Sequence, residues 1–308
     1  MFYSLVKIIA RLALKIFCRK IEIQKSYLLQ QQGPLLITAN HPNSFLDAVI
    51  IGCLFKEPVH YLTRGDAFNK PWHNTLLRLL NMIPVYRLSE GKENLSLNEE
   101  AFKKSTSILS GGGIVLIFIE GICRHTHALQ TFKKGAARIA IDSRHLPNFR
   151  IMPMGIAYDS FINFGKKINI SIGEPIPAQT MLPFDDEGKN MRHFNGVLYE
   201  AIGSLVVVPE IKTPEKRSIF FLSMAMLGYV LHIILYAGLK KIIRKKTEAT
   251  VFYDSVLFGV LLFVYPLYLL LLSVLLMLLK LSPVIVLMLF FLHPLTAWFA
   301  VRGWRDKK

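Results

Sequence analysis

The chain has 308 residues, of which 52% are hydrophobic, with a mean hydropathy of +0.39, a net charge of +16 and a pI of about 9.8. Such a length holds one good-sized domain and an appendage, and such apolarity excludes an ordinary soluble enzyme. A basic balance of this size fits nucleic acid or an anionic membrane surface. The apolar residues concentrate beyond Ile219, which selects the membrane and argues against nucleic acid. The three cysteines, Cys18, Cys53 and Cys123, show no CxxC spacing. A disulfide scaffold or zinc knuckle is therefore disfavoured, and a reducing compartment suits them.

The chain opens with Lys7, Arg11, Lys15 and Arg19 at four-residue intervals. On a helix they form one basic stripe, with Leu5, Ile8, Ile9, Leu12, Ile16 and Phe17 over the remaining surface. A secretory signal would cluster its charges before an apolar run instead. The pattern predicts an amphipathic helix over 1–25 lying in the membrane interface; an uncleaved anchor or a core helix is the alternative.

Short apolar runs then alternate with helical stretches. Strands are expected over 35–39, 59–63, 82–86, 114–119, 150–157 and 168–172, and helices over 44–54, 72–80, 94–109, 134–143 and 189–207. This alternation predicts an α/β sandwich with a mainly parallel sheet over 26–210. The run Gly111, Gly112, Gly113 lacks the Gly-Lys-Ser/Thr ending of a phosphate loop and reads as a helix stop before the next strand.

A polar, proline-containing stretch over 209–217 marks the boundary to a membrane region, 219–301. That region holds apolar blocks over 219–239, 252–279 and 281–301, each meeting the ~20 residues that a bilayer core requires. Basic clusters at 240–246 and 302–308 both read as cytoplasmic. With the domain on the same side, the last two blocks form a hairpin turning near Lys280 to Pro283, and the first lies in the interface or re-enters. Three full spans are the rival topology.

Three places could carry chemistry. Asn40, His41 and Asp47 fall at the carboxyl end of the strand 35–39, where α/β sheets bind ligands. A histidine there can take a proton from a hydroxyl, and a carboxylate beside it would fix its tautomer. A capping aspartate near a surface histidine would look the same. Glu120 and Gly121 end the strand 114–119, and Lys133, Lys134 and Arg138 follow at the start of a helix, a setting that suits a phosphate or a solvated basic face. Arg87, past the strand 82–86, could clamp a phosphate or be an exposed strand-end charge. His125 and His127 are too few for a zinc site.

The order of these blocks resembles the glycerophospholipid acyltransferase family, which includes 1-acylglycerol-3-phosphate and glycerol-3-phosphate acyltransferases. Asn40-His41 through Asp47 is similar to its His/Asp catalytic block. Arg64-Gly65-Asp66-Ala67-Phe68 through Pro84-Val85-Tyr86-Arg87 is similar to its acceptor-binding block. Phe118-Ile119-Glu120-Gly121, followed by Lys133-Lys134-Gly135-Ala136-Ala137-Arg138, resembles Phe-Pro-Glu-Gly and its basic sequel, and Ile151-Met152-Pro153-Met154 resembles the Val-Pro-Val block. His41 and Asp47 are separated by five residues where the family has four. Ile119 stands for the usual proline, and Ile122-Cys123 for Thr-Arg, so the phosphate contact passes to Arg124 or to Lys133, Lys134 and Arg138.

The resemblance implies a glycerolipid acyltransferase-like sandwich that moves an acyl chain from acyl-CoA or acyl-carrier protein to an acceptor hydroxyl. His41 and Asp47 would be catalytic, with Asn40, Arg87, Glu120, Gly121, Arg124, Lys133, Lys134 and Arg138 binding substrate. It implies no metal or other cofactor. The expected partners are membrane lipids, the thioester donor and a glycerophosphate-type acceptor, with the domain on the cytoplasmic face. The preferred acceptor is 1-acylglycerol 3-phosphate, ahead of glycerol 3-phosphate and a lyso-aminolipid. A non-catalytic lipid-binding protein is the reading outside enzymes.

Overall fold

The computed structural model describes residues 2–86, 96–210, 217–248 and 250–303. The strands are β1 (Lys20–Gln24), β2 (Leu35–Ala39), β3 (Val59–Arg64), β4 (Met82–Val85), β5 (Ile114–Phe118), β6 (Arg150–Tyr158), β7 (Lys167–Ile172) and β8 (Ile176–Pro177). They form one sheet in the order β1-β7-β6-β2-β5-β3-β4, with β8 beside β6. The pairs β1–β7, β2–β5, β2–β6, β3–β4 and β3–β5 are parallel; β6 runs antiparallel to β7 and to β8. The sheet is thus mainly parallel, as the strand–helix alternation predicts.

Every residue of β2 is buried, which explains why its sequence is a continuous apolar run rather than an alternation. Leu35, Ile37 and Ala39 join one core and Leu36 the other, as the period of two requires. On the first face lie α1 (Phe2–Phe17), α2 (Phe45–Leu54) and the start of α9 (Tyr253–Leu278). On the second lie α4 (Leu97–Ser110), α5 (Gly135–Ser143) and α7 (Glu187–Leu205). The remaining domain helices are α3 (Pro71–Leu79) and the short α6 (Ala178–Met181).

The amino-terminal helix is shorter than the predicted 1–25. It ends at Phe17, and residues 20–24 instead form β1, paired in register with β7. Lys20-Ile21-Glu22-Ile23-Gln24 has a period of two that a helix cannot use. The basic stripe also has a different task over part of its length. Lys7 Nζ donates to the carbonyls of Phe55 and, at 3.1 Å, Lys56. Arg11 donates to Cys53 O at 2.5 Å and Phe55 O at 3.2 Å. These cations satisfy the carbonyls at the end of α2, where the helix dipole favours positive charge. The helix still exposes Leu5, Ile8, Ile9 and Leu12.

Beyond the domain, α8 (Ile219–Lys246), α9 and α10 (Pro283–Gly303) are each long and apolar enough to cross a membrane. The first turn of α9 inserts into the domain: Asp254 pairs with Lys166, and Tyr253, Leu257 and Phe258 join the core beneath α1 and α2. The end of α10 returns to the domain, where Arg302 donates to Lys15 O at 3.1 Å. Between them the chain turns at Leu279–Ser282, with Lys280 at φ +62°. Helix α8 meets the end of α10 at its start and the domain just past its end. Arg217, just before it, bonds to Arg302 O, and Val251, just after it, accepts a 3.1 Å bond from His125. Gly228 lets α8 meet α10 closely, since a Cβ there would stand 2.0 Å from Thr296 O, a small-residue contact usual between membrane helices.

Strand β6 runs against the end of α7 at Gly155, where an added Cβ would lie 2.3 Å from Leu205 O. Gly155→Ala is expected to cost about 1–3 kcal/mol through overpacking. A lowered unfolding midpoint of the detergent-solubilised full-length protein checks this; an unchanged midpoint contradicts the close approach.

Candidate active site

Strand register brings the candidate site together. Ala39 at the end of β2 is level with Phe118 of β5 on one side and Met154 of β6 on the other. The loops that follow β2 and β5 therefore leave the same edge side by side, at the carboxyl ends of parallel strands.

Asp47, in the first turn of α2, is fully buried. One oxygen, Oδ2, accepts from Asn43 N at 2.8 Å and faces His41 Nδ1 at 2.9 Å. The other, Oδ1, accepts from Tyr158 Oη at 2.5 Å. Burial, reinforced by the neighbouring Asp47 charge, pushes the Tyr158 hydroxyl well above its ordinary pKa, so it remains a donor. An ionised carboxylate only accepts, so His41 must carry its proton on Nδ1. Its Nε2 is then the free base, and it has no hydrogen-bond partner among the described residues. The imidazole lies flat on Phe118, with ring centroids 3.9 Å apart at 12°. Its side chain is 16% exposed, enough to meet a substrate.

Ser44 lies in the loop between His41 and Asp47. Its backbone sits at φ 54° and ψ −142°, a region that non-glycine residues rarely enter and that clusters at functional sites. On a continuous helix one added residue would swing Asp47 by roughly 100°. Here the intervening residues include a loop that twists at Ser44, and the His41–Asp47 contact is made. Ser44 makes no side-chain cap to α2, and its amide donates to Cys123 Sγ at 2.9 Å.

The other predicted site residues divide into two groups. Asn40 is buried, and its amide group bonds both ways to the backbone of Ile156, at 2.9 and 2.8 Å. Glu120 is 3% exposed, and its two oxygens accept from the amides of His41 at 3.0 Å and Gln130 at 2.9 Å. Burial raises its pKa, opposed by those two amide bonds. Both side chains thus hold the loop that carries His41.

Gly121 turns the chain at φ +63°, and Arg124 N approaches His41 O at 3.4 Å. Lys133 N bonds to Ile119 O at 2.8 Å, and its side chain passes over Gly121. Arg124, Lys133 and Lys134 are exposed. Arg138 turns to α4 instead. Its guanidinium lies over Phe102 at 5.4 Å, in a cleft with Glu99, Lys103, Asp142 and Glu187 that holds none of the other predicted residues. Arg87 lies outside the described residues. His125 bonds to Val251 O and stacks on Phe161, while His127 accepts from Tyr158 N at 3.3 Å.

A buried carboxylate fixing an exposed-edge histidine in its Nδ1–H form is a general-base arrangement. Residues 20–157, which hold both groups, match the family described as Acyltransferase. Residues 20–157 form an acyltransferase-family domain.

The 1-acyl-sn-glycerophosphate (LPA) acyltransferase of Thermotoga maritima has a similar crystal structure, covering 64% of this chain and 74% of that one at 17% identity and a TM-score of 0.45. No curated protein matches the chain. Tyr158 is not among the expected site residues, and Phe118 enters the sequence pattern only as part of the Phe118-Ile119-Glu120-Gly121 block, with no role at the histidine. Tyr158 directly follows the predicted strand 150–157, and the only signal was a polar tip at the carboxyl end of an apolar run.

Tyr158→Phe keeps the ring but leaves Asp47 Oδ1 without its donor. The expected loss is about 1–3 kcal/mol of stability, the cost of an unsatisfied buried acceptor. Chemical denaturation of the variant in detergent measures it, and wild-type stability contradicts the bond.

Proposed function

We propose that the acyltransferase domain moves a fatty acyl chain from an acyl thioester to the free hydroxyl of 1-acylglycerol 3-phosphate, in phospholipid synthesis at the membrane surface. The observation that carries this reading is the buried Asp47 facing Nδ1 of His41, which leaves Nε2 without a hydrogen-bond partner among the described residues. Nε2 takes the proton of the acceptor hydroxyl as its oxygen attacks the thioester carbonyl. The tetrahedral intermediate collapses, the carbon–sulfur bond breaks, and the leaving thiolate recovers the proton from His41. Asp47 stabilises the imidazolium in between, without itself changing protonation. No acyl-enzyme, metal or redox cofactor enters this scheme.

The phosphate of the acceptor suits the exposed cations Arg124, Lys133 and Lys134, which follow the strand end beside His41. A lyso-aminolipid acceptor would leave them without a task. Membrane seating fits a substrate and product that stay in the bilayer. In this reading α9 and α10 span as a hairpin, because the start of one and the end of the other meet the domain. Helix α8, bonded at its start to the end of α10 and at its far end to His125 of the domain, lies along the interface with the exposed apolar face of α1. The basic residues at the end of α8 support a domain on the cytoplasmic side.

Membranes containing the protein, given a labelled acyl thioester and either 1-acylglycerol 3-phosphate or glycerol 3-phosphate, test the assignment. Product is expected from the first acceptor, and His41→Ala should lower the rate about 10²–10⁴-fold, the usual contribution of a general base. Product only from glycerol 3-phosphate would move the assignment to that acceptor. Undiminished product with His41→Ala would contradict the mechanism.

A further inference from the structure

The catalytic loop is held from outside the acyltransferase domain. Helix α2 has no side-chain cap of its own, and an uncapped helix leaves its first amides without partners. Here Ser255, in the first turn of α9, takes that place: Leu46 N donates to Ser255 Oγ at 3.1 Å. The same hydroxyl donates to Asn43 O at 3.0 Å. One side chain of α9 therefore bonds to the backbone on both sides of the strained Ser44. Next to it, Asn43 Nδ2 donates to Asp254 Oδ2 at 2.9 Å, and Asp254 is paired with Lys166. Asn43, Asp254, Ser255 and Lys166 are each at most 2% exposed, so water cannot replace these contacts.

We propose that Asp254 and Ser255 are positioning residues for catalysis, and that the first turn of α9 holds the lengthened His41–Asp47 loop in its reactive shape. This rests on the reading of His41 as the general base. The geometry gives the reason. The His41–Asp47 contact at 2.9 Å spans a loop in which Ser44 holds an unfavourable conformation. The residues flanking Ser44 are tied down by a helix that follows the domain by more than forty residues of chain. Asp254 is held for this purpose by Lys166, which lies just before β7, so the brace is anchored in the sheet itself. The turn that enters the membrane helix and the turn that opens the catalytic helix thus form one buried unit.

Three variants of the full-length protein in lipid nanodiscs test the proposal: Ser255→Ala, Lys166→Met with Asp254→Leu, and Lys166→Met with Asp254→Asn. Both pairs remove the buried ion pair without stranding a charge, but only asparagine still accepts from Asn43. The leucine pair and Ser255→Ala are expected to lose about tenfold to hundredfold in kcat, the scale of a misplacement near 1 Å, with KM for the thioester unchanged. The asparagine pair should keep most of the wild-type kcat. Hydrogen exchange in a peptide covering 40–47 should quicken in the first two variants and not in the third.

A merely structural role would lower the unfolding midpoint of both pairs together and leave kcat of the folded fraction alike. Wild-type kcat and wild-type loop exchange in Ser255→Ala and in the leucine pair would overturn the proposal. If the leucine pair does not fold, Ser255→Ala decides by the same two readouts. Absence of transfer by the wild-type protein on every acceptor would sink the acyl-transfer reading instead. The exchange measurement would then still decide whether α9 holds the loop.

Discussion

The site depends on one buried carboxylate. Asp47 is withdrawn from water and meets three groups: the amide of Asn43, the hydroxyl of Tyr158 and Nδ1 of His41. Burying an ionised carboxylate is costly unless donors replace its hydration. Here the donors come from its own loop, from the end of β6 and from the histidine it orients. Because an ionised Asp47 can only accept, the histidine donates to it as Asn43 and Tyr158 do, and Nε2 is left as the proton-accepting edge. The tautomer follows from the hydrogen-bond inventory of the pocket.

The rest of the fold supplies the geometry that makes this arrangement possible. Parallel pairing aligns the ends of β2, β5 and β6, so His41, Glu120 and Tyr158 rise from one edge of the sheet. Glu120 ties the two loops together through the amides of His41 and Gln130, and Asn40 ties β2 to β6. Phe118 supplies the flat surface under the imidazole. On the outer side, Lys7 and Arg11 close the far end of α2, while Ser255 closes its near end. The helix that carries Asp47 is held at both ends by segments on either side of the acyltransferase domain.

Much of this was legible in the sequence because it depends on local pattern. Largely apolar runs marked the central strands, and each end of the six expected strands lies within one residue of the observed one. His41 and Asp47 could be placed together because six positions separate them along the chain. β1 was absorbed into the predicted helix because four basic residues at helical spacing, ending at Arg19, outweighed a short period of two over 20–24. What lay beyond reach were partners distant in sequence. Tyr158 and Asp47 are 111 positions apart, and Ser255 and Asn43 are 212 apart. Asn40 and Glu120 were recognisable as polar residues at strand ends. Their types do not reveal that backbone amides and carbonyls occupy their side chains.

The most direct test of this account is the protonation pattern of His41, read by nitrogen-15 NMR of the histidine-labelled protein in nanodiscs. Its signals would be assigned by their loss in His41→Gln. At a pH where the ring is neutral, the expected signals are those of a proton on Nδ1 and a bare Nε2, with the Nδ1 proton shifted by its bond to Asp47. A proton on Nε2, or a mixture of tautomers like that of a free imidazole, would contradict the orientation on which the proposed chemistry rests.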